Sequence, residues 1–449
     1  MHVLIIGAGE IGFYLAQRLE AEHHDVVVVD KDSVRCSAIA AQLDVQVITG
    51  NGGSPAILER ARIDKADLVA AVTDLDEVNL ITSLLAKEYG VETTVVRLQS
   101  EELRGEASGN LLKRVGADLV IDPDADTADE ILELVHSTGA DEIYPMAGGD
   151  LVVIGGFITA GAPLAGRFLK DIAAEYEPNW EFLFGAVTRN GDTSIPRGDQ
   201  KLLAGDHVRV LATRRARGQI LDLLGVPGQR ARRVLILGGG AIGTRVATRL
   251  QAEGVEVVLI ERDPERAEAL AEELHRTVVV QGDITDTELL HEEGVGSFDA
   301  VVAAAGEDSH NVLACAFAAS EGARFTVAVL HRLALLPLVR RFGINAALSP
   351  RTASANAVLR HVRGGTSAVA TFLESDSEVD EIEIEPGSRA DGSVVSGLGL
   401  PHNILIGAVI RPGASAEIVR GKTILRAGDH IVVFARPDDL AVVKEFFAR

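Results

Sequence analysis

The sequence predicts an α/β protein in which two parallel-sheet portions each precede a small α+β domain of short strands. Three observations carry this. The run Gly7-Ala8-Gly9-Glu10-Ile11-Gly12 returns 231 positions later as Gly238-Gly239-Gly240-Ala241-Ile242-Gly243, so the chain is internally repeated. Within each half, apolar runs first alternate with helically spaced stretches, the pattern of strands and helices in a parallel sheet. Each half then changes to short strands divided by turn signals, the pattern of a small mixed domain.

Residues 1–124 supply the strand candidates VLII, VVVV, VQVIT, LVAAV, TTVVRL and DLVID, with helical spacing over Gly12–Glu22 and Leu75–Tyr89. Residues 141–225 carry DLVVIGGF, FLFGAVTR and HVRVLA, the turns Arg189-Asn190-Gly191-Asp192 and Ala204-Gly205-Asp206, and a closing helix near Gln219. Gly, Asn and Asp between apolar runs turn the chain because they tolerate positive φ or bond their own backbone. Residues 231–350 repeat the parallel-sheet portion and 368–449 the strand-rich one. Asp30, closing VVVVD, pairs with Glu261, closing VEVVLIE; QVITGN (46–51) pairs with VVVQGD (278–283). FGAVTRNG (184–191) likewise pairs with IGAVIRPG (406–413), and LLAGDHVRVL (202–211) with ILRAGDHIVVF (424–434). Four domains in the order ABAB follow.

At 449 residues the chain has material for several buried cores. Its 47% hydrophobic and 24% charged residues, with 45 Gly and 14 Pro dispersed along it, exclude low-complexity and disordered classes. Lys and Arg total 43 against 66 Asp and Glu, a net charge of −23, which disfavours neutralising a phosphate backbone; no nucleic-acid partner is expected. Cys36 and Cys315 stand in different halves, so neither a disulfide framework nor a thiolate metal cluster is indicated, and a reducing cytoplasm fits best. No basic leader precedes MHVLIIGAG, and the longest uncharged stretch, Leu151–Gly166, is short and broken by Gly155, Gly156, Gly161 and Pro163. No membrane-spanning segment is expected.

Each glycine motif directly follows an apolar strand (HVLII; RVLIL), opens a helix, and is followed one βα unit later by a strand-terminal acid. That context turns a weak GxGxxG signal into a Rossmann-type dinucleotide fingerprint, given twice. Gly7 and Gly238 allow the tight turn. Gly9 and Gly240 let backbone N–H groups approach a pyrophosphate at the helix N-terminus, and Gly12 and Gly243 allow close packing of helix on strand. Asp30 and Glu261 are placed to accept from ribose hydroxyls, which favours NAD or an adenine nucleotide over NADP. Asn51 and Asp283, after the third strand of each half, either meet the adenine edge or cap a turn. Arg97 emerges from TTVVRL toward the same sheet edge, suited to ligand phosphates. In the second half Leu330 or His331 stands near the equivalent position, with Arg332 coming late.

Other features carry plainer readings. Seven acids lie between Glu374 and Glu385, and Ile382 and Ile384 alternate with Glu381, Glu383 and Glu385, the pattern of a half-buried strand with a charged outer face; a cation site there is the sharper alternative. Arg214, Arg215, Arg217, Arg230, Arg232 and Arg233 crowd the junction between halves, either as a solvated boundary or as a surface for an acidic partner or anionic headgroups. None of the twelve histidines stands at zinc-ligand spacing, and no metal site is expected.

These residues resemble the TrkA-type regulators of potassium transport, built from RCK (KTN) domains. The resemblance rests on the doubled GxGxxG-to-acid units, AVTDLDEVN at 71–79, VVRLQS at 95–100, GAPLAG at 161–166 and the repeated GAV-x-R and AGDH elements. It implies the order RCK_N, RCK_C, RCK_N, RCK_C and a cytoplasmic nucleotide-binding regulatory subunit without catalytic activity. That subunit would lie on the inner face of the cell membrane against a TrkH- or TrkG-like K+-conducting subunit. It further implies NAD(H) and ATP or ADP as ligands, with contacts at Gly7, Ala8, Gly9, Glu10 and Ile11, at Asp30, Thr73, Asp74 and Arg97, and at Gly239, Gly240, Ala241, Ile242 and Glu261. A homo-oligomeric ring, tetrameric under an oligomeric channel, fits two sensing units per chain. AAAGEDSHN at 303–311 departs from the family pattern, losing a threonine hydroxyl at Ala305 and a carboxylate at Ser309, and Gln99 and Leu103 replace an arginine and a tyrosine. The alternative from another class is an NAD-dependent dehydrogenase or reductase, which needs an acid/base His, Lys or Tyr held against the nicotinamide by a substrate domain; the strand-rich portions offer no such constellation.

Overall fold

Runs such as Val3-Leu4-Ile5-Ile6 and Val26-Val27-Val28-Val29 have no polar face, so they are stable only with both faces covered. In the computed structural model, which describes residues 1–104, 109–178, 180–226, 228–332, 335–362, 369–371, 377–436 and 439–447, both runs are buried strands of one sheet. Strands β1 (His2–Ile6), β2 (Asp25–Asp30), β3 (Gln46–Thr49), β4 (Leu68–Ala71), β5 (Thr93–Arg97) and β6 (Leu119–Ile121) pair in parallel in the order 3-2-1-4-5-6. The order reverses between β1 and β4, and the crevice at their carboxyl ends is where such sheets take ligands.

This sheet belongs to a first compact unit, Met1–Thr127, which is completed by the later helix Pro350–Val362. Val358 and Leu359 of that helix are fully buried with Ile5, Leu15 and Leu19. Helical periodicity gives an apolar face but not its partner, so this placement was not readable in the sequence.

The second unit begins at Ala128. It contains a five-stranded mixed sheet built from β7 (Glu142–Met146), β8 (Leu151–Phe157), β9 (Phe182–Arg189), β10 (Asp192–Ser194) and β11 (His207–Thr213), in the order 10-9-11-8-7. Neither β7 nor the helix Leu169–Tyr176 is among the elements the sequence predicts. Pro145 reads as a strand breaker, yet β7 pairs only with β8, and an edge strand tolerates the missing donor. Asn190 and Gly191 both take positive φ and join β9 to β10 as a two-residue hairpin.

Strands β12 (Arg233–Leu237), β13 (Glu256–Glu261), β14 (Thr277–Gln281), β15 (Ala300–Ala303), β16 (Thr326–Val329) and β17 (Ala346–Leu348) form the second parallel sheet, order 14-13-12-15-16-17. Ile131, Leu132 and Val135, from the helix Pro123–Val135 that follows β6, are buried with Val234, Ile236, Val246 and Leu250 beneath it. Strands β18 (Val369–Thr371), β19 (Glu378–Glu383), β20 (Ile404–Ile410), β21 (Glu417–Ile418) and β22 (His430–Ala435) make the second mixed sheet, order 18-19-22-20-21.

The two mixed sheets share a core of Met146, Val153, Leu211, Val379, Val432 and Phe434. The repeated glycines of the GAV elements explain themselves there. Gly185 is the extra residue of a bulge in β9 and Gly407 of one in β20. A Cβ on Gly185 would collide with the Phe434 ring, and one on Gly407 would stand 2.7 Å from Leu211 Cδ2, Leu211 and Phe434 being equivalent residues of the repeat.

Two readings of the sequence need correction. Glu381 was expected on a charged outer face of its strand, but it is buried, as are Glu378 and Asp380, because the first mixed sheet covers that face; Glu383 and Glu385 are exposed. Glu381 accepts a 3.2 Å hydrogen bond from Ala147 N–H; Glu374 and Asp376 lie outside the described residues. The junction arginines are not simply solvated either. Arg214 donates to Gly149 O, Arg217 to Glu133, Arg230 to Glu253, and Arg233 to Glu256 while covering the Phe298 ring.

Candidate functional site

At the end of β1 the chain must turn sharply and leave room for a helix. Gly7 adopts φ +115°, where a Cβ would stand 3.0 Å from Thr73 N, and a Cβ on Gly12 would collide with Gly7 O. Gly238 (φ +109°) and Gly243 repeat both constraints against Ala305 and Gly238 O. Gly9 and Gly240 stand at the N-caps of the helices Glu10–Ala21 and Ala241–Ala252, and glycine has no side chain to cap either. The first-turn N–H groups and the positive end of each helix therefore face an open loop, which favours an anion. Ile11 and Ile242 contribute only backbone there, since their side chains are buried in the cores beneath.

The strand-terminal acids tie this loop to β2 and β13. Asp30 accepts from Ala8 N–H at 2.6 Å and from Asp32 N–H at 2.8 Å. Glu261 accepts from Gly239 N–H at 2.7 Å and Asp263 N–H at 2.9 Å. The longer acid comes with a smaller loop residue: a Cβ on Gly239 would collide with Leu270 and stand 3.0 Å from Glu261 Oε2, whereas Asp30 leaves room for Ala8. Each carboxylate oxygen retains a lone pair for a ribose hydroxyl.

After β4, Asn79 is fully buried and fixes the next part of the rim. Its Oδ1 accepts from Thr73 N–H (3.0 Å) and Thr73 Oγ1 (2.7 Å), and its Nδ2 donates to Thr73 O and Arg97 O. Asn311 repeats this with Ala305 N–H, Ala305 O and Val329 O. The equivalent of Arg97 is therefore Val329, and not Leu330 or His331 as the sequence reading placed it. Asp76 accepts from Gln99 and Ser100 N–H, and Asp308 from His331 and Arg332 N–H. Burial pushes the Asp308 carboxyl up, but those N–H groups and His331 hold it below its ordinary value.

Arg97 lies between Thr73 and the acids of the rim. Its Nη1 donates to Thr73 O at 3.4 Å, while its buried Nε has no hydrogen-bond partner among the described residues. Burial lowers its pKa against the opposing pull of Asp124, Asp74 and Asp76; so strong a base stays charged. Asp74 is exposed at the same rim. Asp283 does not stand free: its Oδ1 accepts from Thr285 N–H and Oγ1, and Asn51 makes the same turn to Gly53 N–H, so both cap turns.

Residues 3–123 and 234–350 match the TrkA-N domain, and residues 157–225 and 379–448 the TrkA-C domain. The chain belongs to the TrkA family. Its relatives include a "Trk system potassium uptake protein TrkA homolog" of Archaeoglobus fulgidus, 34% identical over 449 residues and covering 100% of both chains. The Trk system potassium uptake protein TrkA of Azorhizobium caulinodans is 32% identical over 453 residues, covering 100% of this chain and 98% of the relative. That of Haemophilus influenzae is 32% identical over 440 residues, covering 97% and 95%. Among solved structures, the GsuK RCK domain superposes with a TM-score of 0.61 at 20% identity, covering 100% of this chain and 95% of that one. The GsuK channel bound to NAD gives 0.62 at 19%, covering 100% and 79%. These structural likenesses concern the fold.

Two arginines of these TrkA-N domains went unnoticed in the sequence. Arg35 Nη1 lies 3.9 Å from where a Cβ on Gly9 would be. Its repeat partner Arg266 donates to Gly239 O and Thr244 Oγ1, both at 3.2 Å. Each follows its strand-terminal acid by five residues, and that doubled spacing was the available signal. Away from the loops, Asp141, Glu142 and His207 come within metal-ligand spacing. Arg209 grips Glu142 through two bonds and Arg340 approaches Asp141 at 3.6 Å, so guanidinium groups already balance these carboxylates.

Proposed function

We propose that the chain is the nucleotide-binding regulatory subunit of a Trk-type potassium uptake system. It works as a homo-oligomeric, tetrameric ring on the inner face of the cell membrane, against a TrkH- or TrkG-like conducting subunit. NAD(H), ATP and ADP compete for the first glycine loop, with Asp30 on the ribose, the helix N-terminus on the phosphates, and Arg35, Thr73, Asp74 and Arg97 around them. The second loop, with Glu261, lacks the counterparts of Thr73 and Arg97 and binds more weakly. The observation that carries this reading is the doubled loop-to-acid geometry, Asp30 on Ala8 and Glu261 on Gly239, in a chain matched end to end by potassium uptake proteins. The nucleotide acts as an effector and is not consumed: it moves the ring between two arrangements by its differential affinity for them. Among the described residues no helix is long and apolar enough to cross a membrane, which fits a peripheral place.

Thermal melts of the purified chain with NAD, NADH, ATP and ADP test the binding step. A ligand of the folded state raises the midpoint in proportion to RT ln(1 + [L]/Kd). A midpoint indifferent to all four nucleotides contradicts the reading.

A further inference from the structure

The first glycine loop contains a charge that the second lacks. Glu10 is the first residue of the helix Glu10–Ala21, which puts an acidic residue in the turn whose N–H groups a pyrophosphate would meet. Left alone it would repel that anion. Arg351, on the helix Pro350–Val362, meets it instead: Nε donates to Glu10 Oε2 at 2.6 Å, and Nη2 pairs with Oε1. The guanidinium is largely shielded, while the carboxylate is half exposed. Val358 and Leu359, buried in the same unit, anchor the helix that carries it. At the corresponding repeat positions the second half has Ala241 for Glu10, and the first half has Asp124 for Arg351. The pair is thus peculiar to the first loop.

We propose that Arg351 is a phosphate-reading residue of the first site, supplied by the second half of the chain and held by Glu10 until a nucleoside polyphosphate or dinucleotide arrives. This rests on the nucleotide reading above. A phosphate group offers the guanidinium, through two of its oxygens, the same bidentate geometry as the carboxylate. Entry of the ligand exchanges one anion for another without moving the arginine's helix.

Calorimetry on the full-length chain in a Glu261→Ala background, with ADP and adenosine as probes, tests this. Arg351→Ala should weaken ADP about tenfold and adenosine less than about twofold. Glu10→Ala should strengthen ADP about threefold by removing the competing anion, and Arg351→Lys should fall between wild type and Arg351→Ala. Equal losses for ADP and adenosine on Arg351→Ala would assign the arginine a purely structural role and overturn the proposal, as would no loss for either. Failure of the unsubstituted background to bind ADP at all would instead strike at the nucleotide reading beneath it.

Discussion

The carboxylate of Asp30 accepts a 2.6 Å hydrogen bond from the backbone N–H of Ala8, tying the end of β2 to the turn that follows β1. The bond holds the glycine loop in shape before any ligand arrives, which spares the cost of ordering it on binding. On the proposed nucleotide reading the same carboxylate would also meet the ribose, so that one side chain would both build the site and read the ligand.

Asp30→Ala is therefore expected to weaken NAD and ADP binding by about tenfold or more, the value of a charge-assisted hydrogen bond plus a disturbed loop. Glu261→Ala should cost less, because Ala305 and Val329 stand where the first site has Thr73 and Arg97. Calorimetry on both variants decides it, and equal or reversed losses would mean that the two sites are ranked wrongly.

At the core between the mixed sheets, Gly185→Ala should destabilise the protein by about 1–3 kcal/mol, the usual cost of overpacking, since the new methyl meets the Phe434 ring. Phe434→Leu should recover part of that loss, because it reproduces the Leu211 that faces Gly407. The double mutant in urea denaturation should be less destabilised than the two single losses added. Simple additivity would show that the bulge and the ring are not coupled.

Acid should destabilise the fold through carboxylates held below their ordinary value of 3.8, among them Asp308. A depressed folded pKa means that the charged form is bound better in the folded state. Its contribution is complete above the unfolded value and is lost as pH falls toward and through the folded one. Urea midpoints should thus be flat from about pH 7 to about pH 5 and drop below about pH 4, with Asp308→Asn removing part of the drop. A variant with an unaltered acid limb would show that the His331 and Arg332 N–H groups contribute nothing through this carboxylate.

The glycine–acid units were legible because the turn after β1 or β12 excludes a Cβ at Gly7, Gly12, Gly238 and Gly243, leaving one residue type for each place. The repeat of GAV and AGDH was legible as a pattern, but the reason for Gly185 was not, since Phe434 reaches it from a distant strand of the other mixed sheet. Arg35, Arg266 and Arg351 were not picked out by the sequence, because a helix pattern shows which face is polar and not what the polar face meets. The misplacement of the Arg97 counterpart had a similar cause: apolar runs leave the register open by a residue, and only the bonds from Asn79 and Asn311 fix it at Val329.

The central claim is that nucleotide at the glycine loops changes potassium conduction. The most direct measurement is K+ flux into vesicles containing the Trk membrane subunit and this chain, with NADH, ATP or ADP added in turn. The account predicts flux that differs among the nucleotides, no net consumption of any of them, and a response largely lost in Asp30→Ala. Flux indifferent to every nucleotide, together with substrate-dependent oxidation of NADH, would contradict it.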